Sequence, residues 1–141
     1  MFEESGDYGG IAMIDYLDDL TRYLTDFVGE SNISPKDNKC TEKSNELKTY
    51  VERKFRADFS LGGLKINSIL VEGDTLLSNV TAFHINGAEY GYHFVVYFGD
   101  EPDRIILDSY LPLNLLKALP EYEYLRCAYK NPEELRLRDI G

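Results

Sequence analysis

Cysteine is scarce in this chain of 141 residues: only Cys40 and Cys127 occur. Two thiols are too few for a disulfide scaffold and fit a reducing compartment, so each is judged singly. Histidine is equally sparse, at His84 and His93. No C-x-x-C or H-x-x-x-H spacing brings these four residues together, which argues against a zinc site. No glycine-rich phosphate loop occurs either, since "LGGLK" lacks the G-K-[ST] ending, and no nucleotide or other cofactor is expected. Lys and Arg form no cluster, and the formal charge is −10, so a nucleic-acid surface is excluded as a leading idea. The acidic balance favours a basic protein partner instead. No run reaches the ~18 apolar residues of a membrane span, and the start lacks the basic and apolar regions of a signal peptide.

What is present reads as one globular domain over residues 1–141, with 43% apolar and 13% aromatic residues and no repeat or interdomain linker. From Gly10 to Val28, Ile11, Ile14, Leu17, Leu20, Leu24, Phe27 and Val28 recur at helical spacing, and Gly29 is expected to end that helix. The polar loop "ESNISPKDNKC" leads into a second helix carrying Leu47, Val51 and Phe55, which puts Cys40 at or just before its N-terminus. The pattern then becomes β-type. "LKINSILV" and "LLSNVTAFHI" flank a turn at Gly73 and Asp74, and "YHFVVYF" and "RIILD" are joined by "GDEPD". "LPLNLLKALP" predicts a short helix closed by Pro120, and the alternation in "YEYLRCAY" predicts a last strand. The expected class is α+β, an antiparallel sheet with helices on one side.

A thiol at a helix N-terminus has a lowered pKa and becomes a nucleophile when a histidine sits beside it. Cys40 meets the first condition on this reading, and His93 is the histidine that can meet the second. If "HFVVYF" and "RIILD" pair antiparallel, Asp108 at the end of the second strand comes level with the start of the first, within reach of His93. Two readings of His93 and Asp108 stay open at this point: a structural hydrogen bond and a catalytic pair. Cys127, between Tyr124 and Tyr129, reads as a packing residue, and His84 as a structural one.

Taken in order, Cys40 at a helix start, "GYHFVVYF" and "IILDSY" resemble the papain-like cysteine peptidases. The resemblance covers about residues 32 to 112. It is nearest to the bacteriocin-processing, double-glycine peptidase domains of peptide exporters and to papain-like domains of bacterial polymorphic toxins. It implies a papain-like fold and a Cys40, His93, Asp108 triad that cleaves a protein target, with a Gly-Gly pair as the expected cleavage site. It also implies a secreted or delivered effector domain acting in a target-cell cytoplasm, with a cognate immunity or inhibitor protein as partner. Two departures stand out. Ser34 occupies the position where the families carry an oxyanion-binding Gln, leaving Asn38 or another loop residue as donor, and Ser109 replaces the Pro that often follows the Asp. A protein-glutamine deamidase or transglutaminase-like enzyme would use the same triad, and a non-enzymatic, acidic immunity-type binder would not use it at all.

Overall fold

The computed structural model describes residues 16–31, 40–59, 65–76, 90–100, 103–111 and 113–139. Helix α1 spans Leu17–Ser31 and buries Leu20, Tyr23, Leu24 and Phe27, the apolar stripe expected from their spacing. It runs two residues past Gly29, which is exposed and does not cap it. Helix α2 spans Cys40–Asp58 and buries Leu47, Val51 and Phe55. Tyr23 Oη donates to Asp58 Oδ2 at 2.6 Å and ties the far end of α2 to α1.

Strands β1 (Ile66–Leu76), β2 (Tyr90–Phe98), β3 (Ile105–Leu107), β4 (Leu119–Pro120) and β5 (Arg136–Asp139) form one sheet in the order β4-β3-β2-β1-β5, with every neighbouring pair antiparallel. The expected turn at Gly73 and Asp74 is absent: both residues belong to β1, where the register with β2 becomes irregular between Glu72 and Leu76. Three residues of β1 stand against one of β2 there, and extra residues of this kind bend a strand without ending it. The predicted strand "LLSNVTAFHI" begins at Leu76, the last residue of β1, and otherwise lies outside the described residues. The chain leaves β2 at Gly99. Gly99 has φ of 95°, a conformation that a side chain disfavours, and its N–H reaches the Lys65 carbonyl at 2.8 Å.

The C-terminal part corrects the sequence reading twice. "LPLNLLKALP" gives a 3-10 turn at Leu113–Leu115 followed by β4, so Pro120 ends an edge strand, not a helix. The predicted last strand is a helix, α3, spanning Glu121–Ala128. Tyr124 and Ala128, four apart, are both fully buried, whereas Tyr122 points to solvent. Cys127 accordingly sits on a helix, half-buried against the core. Beyond a second 3-10 turn (Pro132–Glu134), the chain pairs with β1 as β5.

Directly opposed residues of an antiparallel pair share a face, and successive residues alternate. Ser68 opposes Val96 and Ile66 opposes Phe98. This is the face that α2 covers, through Ser44 Oγ to Ser68 Oγ at 3.0 Å and through the Phe55 and Phe98 rings, 5.0 Å apart. His93, Val95 and Tyr97 face the other way. The chain leaves one edge at β4 and returns to the opposite edge at β5, so α3 and the turn after it cross that second face. Arg104 marks the crossing: its guanidinium lies 5.5 Å from the Tyr97 ring centroid and donates to Glu121 Oε1 of α3 at 2.8 Å. The fold is therefore α+β with helices on both sides of the sheet. Among the described residues no helix is long and apolar enough to cross a membrane.

Candidate active site

β2 delivers His93 and the exit of β3 delivers Asp108, as the hairpin spacing anticipates. Val96 opposes Leu107, so Asp108, the next residue, comes level with Val95, two positions from His93. His93 Nε2 lies 3.3 Å from Asp108 Oδ1 and 3.2 Å from Oδ2. Both residues are buried, at 7% and 1% exposure.

The carboxylate is held from three directions. The chain turns immediately after it, and the Tyr110 N–H donates to Oδ1 at 2.9 Å, the short side-chain-to-backbone bond with which Asp stabilises a turn two residues on. Tyr124 Oη of α3 donates to Oδ2 at 2.6 Å. Tyr129 Oη stands 3.5 Å from Tyr124 Oη, with the two rings edge to face at 6.0 Å. The Tyr110 ring meets the His93 imidazole edge-on at 5.7 Å. Burial, and then the neighbouring Asp108 charge, push the Tyr124 hydroxyl well above its ordinary pKa, so it stays a donor through neutral pH.

With a carboxylate facing Nε2, the neutral ring carries its proton there, and Nδ1 holds the lone pair that can accept a proton. That is the tautomer a general base needs when the group it deprotonates lies on the Nδ1 side.

Cys40 is the first residue of α2, at the helix start where the sequence put it. Its side chain lies outside the described part of the structure, as do His84, Ser34 and Asn38. The backbone gives two relations between Cys40 and His93. Ser44 Oγ donates to the Val95 carbonyl at 3.4 Å while Phe55 packs on Phe98, so α2 and β2 run in the same general direction. Stepping back one helical turn from Ser44, about 6 Å, leads to Cys40, and stepping back two strand residues from Val95, about 7 Å, leads to His93.

Sequence reasoning missed Tyr124 and Tyr129, because "YEYLRCAY" was read with a strand period. A signal was available. Pro120 immediately before the run, Glu121 and Glu123 in its first turn and Arg126 in its last are helix-terminus preferences, and they place Tyr124 and Ala128 on one face. Comparison with protein-family models, with curated proteins and with solved structures gave no match to this chain.

Proposed function

We propose that this chain is a papain-like cysteine peptidase acting on a protein target, with Cys40 as nucleophile, His93 as general base and Asp108 as the group that orients the imidazole. The observation that carries the reading is the His93 Nε2 contact with a buried, fully ligated carboxylate. In this reading Nδ1 would take the Cys40 proton. The thiolate would attack the carbonyl carbon, and the imidazolium would then protonate the leaving amine. Water, deprotonated by the same nitrogen, would hydrolyse the thioester. The helix start lowers the thiol pKa and supports the thiolate. Since α2 covers the face opposite to His93 along β2, this reading requires the Cys40 thiol, at the very start of α2, to reach the imidazole from beyond the face that helix covers.

The finer reading is an effector domain that cleaves at small residues, such as a Gly-Gly pair, and is held in check by an inhibitor protein. It is supported by the resemblance of "GYHFVVYF" and "IILDSY" to double-glycine peptidases and toxin domains. The charge of −10 favours a basic patch on substrate or inhibitor.

The test is alkylation by an iodoacetamide-type reagent near neutral pH in a Cys127→Ser background. Cys40 is expected to label faster than the thiol of a short peptide, and His93→Ala to remove the excess. Labelling at the peptide rate would overturn the enzymatic reading. Incubation of the active chain with cell lysate should then yield new protein termini; intact chains with an amide converted to a carboxylate would redirect the same triad to deamidation.

A second reading draws on the closure of the polar network. Asp108, Tyr124 and Tyr129 are almost wholly buried, and their bonds also fasten α3 to the sheet. A non-catalytic binding protein could keep them for that purpose alone, and it predicts an unactivated Cys40.

A further inference from the structure

The His93–Asp108 pair comes from the hairpin, yet one of the two carboxylate oxygens is held by a residue far along the chain on another element. We infer that Tyr124 is a positioning residue of this site: its hydroxyl, delivered by α3, fixes the rotation of the Asp108 carboxylate and through it the orientation and tautomer of His93.

The geometry assigns each oxygen its own donor. Oδ1 takes the Tyr110 N–H at 2.9 Å and Oδ2 the Tyr124 O–H at 2.6 Å, and His93 Nε2 sits almost equally far from both. A carboxylate with the Tyr110 bond alone could swing its second oxygen about the Cβ–Cγ bond. With two fixed donors at opposite ends it presents one plane to the imidazole. A 2.6 Å contact from a hydroxyl to a carboxylate is in the short range of charge-assisted bonds. Tyr124 has one proton to give and spends it on Asp108, so its own oxygen is left to accept from Tyr129 at 3.5 Å.

Tyr124 is itself rigidly placed. The start of α3 is pinned to the start of β3 by the Glu121 N–H on the Arg104 carbonyl at 2.9 Å and by the Arg104–Glu121 ion pair at 2.8 Å. Its end is pinned where Tyr129, 1% exposed, packs against Tyr124. No local interaction with Asp108 requires a tyrosine at this position: sixteen residues separate the two, and phenylalanine would fill the same space. The hydroxyl is therefore the informative atom. The titratable groups described around the ring are Asp108 and Tyr110 from the β3 exit and, beyond the carboxylate, Tyr124 and Tyr129; Cys40 opens the helix on the other side.

The catalytic consequence rests on the peptidase reading, whereas the positioning does not. The deciding experiment is NMR titration of the His93 imidazole, with its nitrogen shifts, in the wild-type chain, Tyr124→Phe and Tyr129→Phe. Losing the Tyr124 donor concentrates the Asp108 charge on the imidazolium. Tyr124→Phe is therefore expected to raise the His93 pKa by roughly half a unit or more and to broaden the neutral ring's tautomer signature. Tyr129→Phe, which keeps the Tyr124–Asp108 bond, should move it less. A folded Tyr124→Phe with unchanged His93 titration and tautomer overturns the proposal. If that variant does not fold, the unaltered chain carries the test: the buried Tyr124 hydroxyl proton is expected as a slowly exchanging, strongly downfield resonance, and its absence overturns the proposal. Neither readout needs a reactive Cys40. An ordinary Cys40 labelling rate thus removes the peptidase and leaves Tyr124 standing, while an unmoved His93 removes Tyr124 alone.

Discussion

The two faces of the sheet are built from different physics. Towards α1 and α2 the contacts are mainly hydrocarbon and aromatic: Phe55 meets Phe98 edge-on at 5.0 Å and Phe59 at a tilt at 5.1 Å, and Tyr16 meets Phe55 edge-on at 4.8 Å. Towards α3, beside the apolar Ile69, Val71, Val95 and Ile106, the face also buries Tyr97, Arg104, His93, Asp108, Tyr124 and Tyr129, which take part in directional bonds. Hydrophobic burial scales with area and is indifferent to orientation. A buried hydrogen-bonded carboxylate fixes angles, and it is costly if one partner is missing. The first face holds the protein together; the second holds particular atoms in particular places. The His93–Asp108 pair sits on the second.

The largest effect that would test this division is Phe55→Ala. Phe55 is fully buried between three aromatic rings, so truncation should cost about 3–5 kcal/mol in denaturant unfolding. The folded fraction should show an unchanged His93 titration. A moved titration would mean that the two faces are coupled and the comparison too simple. Asp108→Asn should cost less, about 1–3 kcal/mol, because an amide keeps the shape but mismatches one of the donors. Its signature lies elsewhere: the imidazolium loses its counter-charge, so the His93 pKa should fall, opposite to the shift expected for Tyr124→Phe. Two variants on one carboxylate moving His93 in opposite directions would be hard to explain by general loosening of the fold.

The two faces also differ in how legible they were in the sequence. α1, α2 and the β2–β3 hairpin follow from apolar periodicity, since hydrocarbon burial writes itself as a repeat: Leu47, Val51 and Phe55 at helical spacing, Val95 and Tyr97 alternating with Val96 and Phe98. The His93–Asp108 pairing followed from hairpin arithmetic. α3 was misread because Tyr122, Tyr124 and Arg126 imitate a strand's alternation, and only the termini of the run speak for a helix. β5 went unseen because "RLRD" has one apolar residue; its pairing rests on backbone bonds to β1, which leave no side-chain pattern. Tyr124's role depends on a contact sixteen residues away that no local pattern encodes.

A smaller effect appears at high pH. Burial first, then the Asp108 charge, raise the folded-state pKa of Tyr124 above that of the unfolded chain. Below about pH 10 both states are protonated and the full stability is present. Above it the unfolded chain releases the proton first, so stability falls as pH rises towards the folded pKa, by up to roughly 1.4 kcal/mol per pH unit for one such group. Tyr23, bonded to Asp58, and Tyr97, bonded to Asp139, add slopes of the same sign. Tyr124→Phe should therefore make the alkaline decline shallower without abolishing it. A decline as steep as in the wild type, measured by urea midpoints across that range, would show that Tyr124 ionises as freely in the folded protein as in the unfolded chain.

The smallest effect is expected at the rim, where β5 meets β1. Arg136 and Arg138 share the carboxylate of Glu72 at 2.9 and 3.0 Å, and both guanidiniums are mostly exposed. The Arg138 hydrogen bond and the two positive charges outweigh the opposing effect of partial desolvation and lower the Glu72 pKa. The stabilisation they bring is present above the ordinary carboxyl pKa and is lost as the pH falls through the lowered one. Solvent and salt screen such pairs, and with two donors on one acceptor, loss of either leaves the other in place. Arg138→Gln should thus leave the unfolding midpoint at physiological salt within measurement scatter, with a small loss visible only at low ionic strength. What keeps β5 in register is the backbone ladder to Ile69–Glu72 and the packing of half-buried Leu137 against the core. If Arg138→Gln instead lowered the midpoint markedly at high salt, charge pairing and not backbone pairing would be holding the strand. The contrast between a core held by area and a polar face held by direction would then have to extend to the sheet's edge.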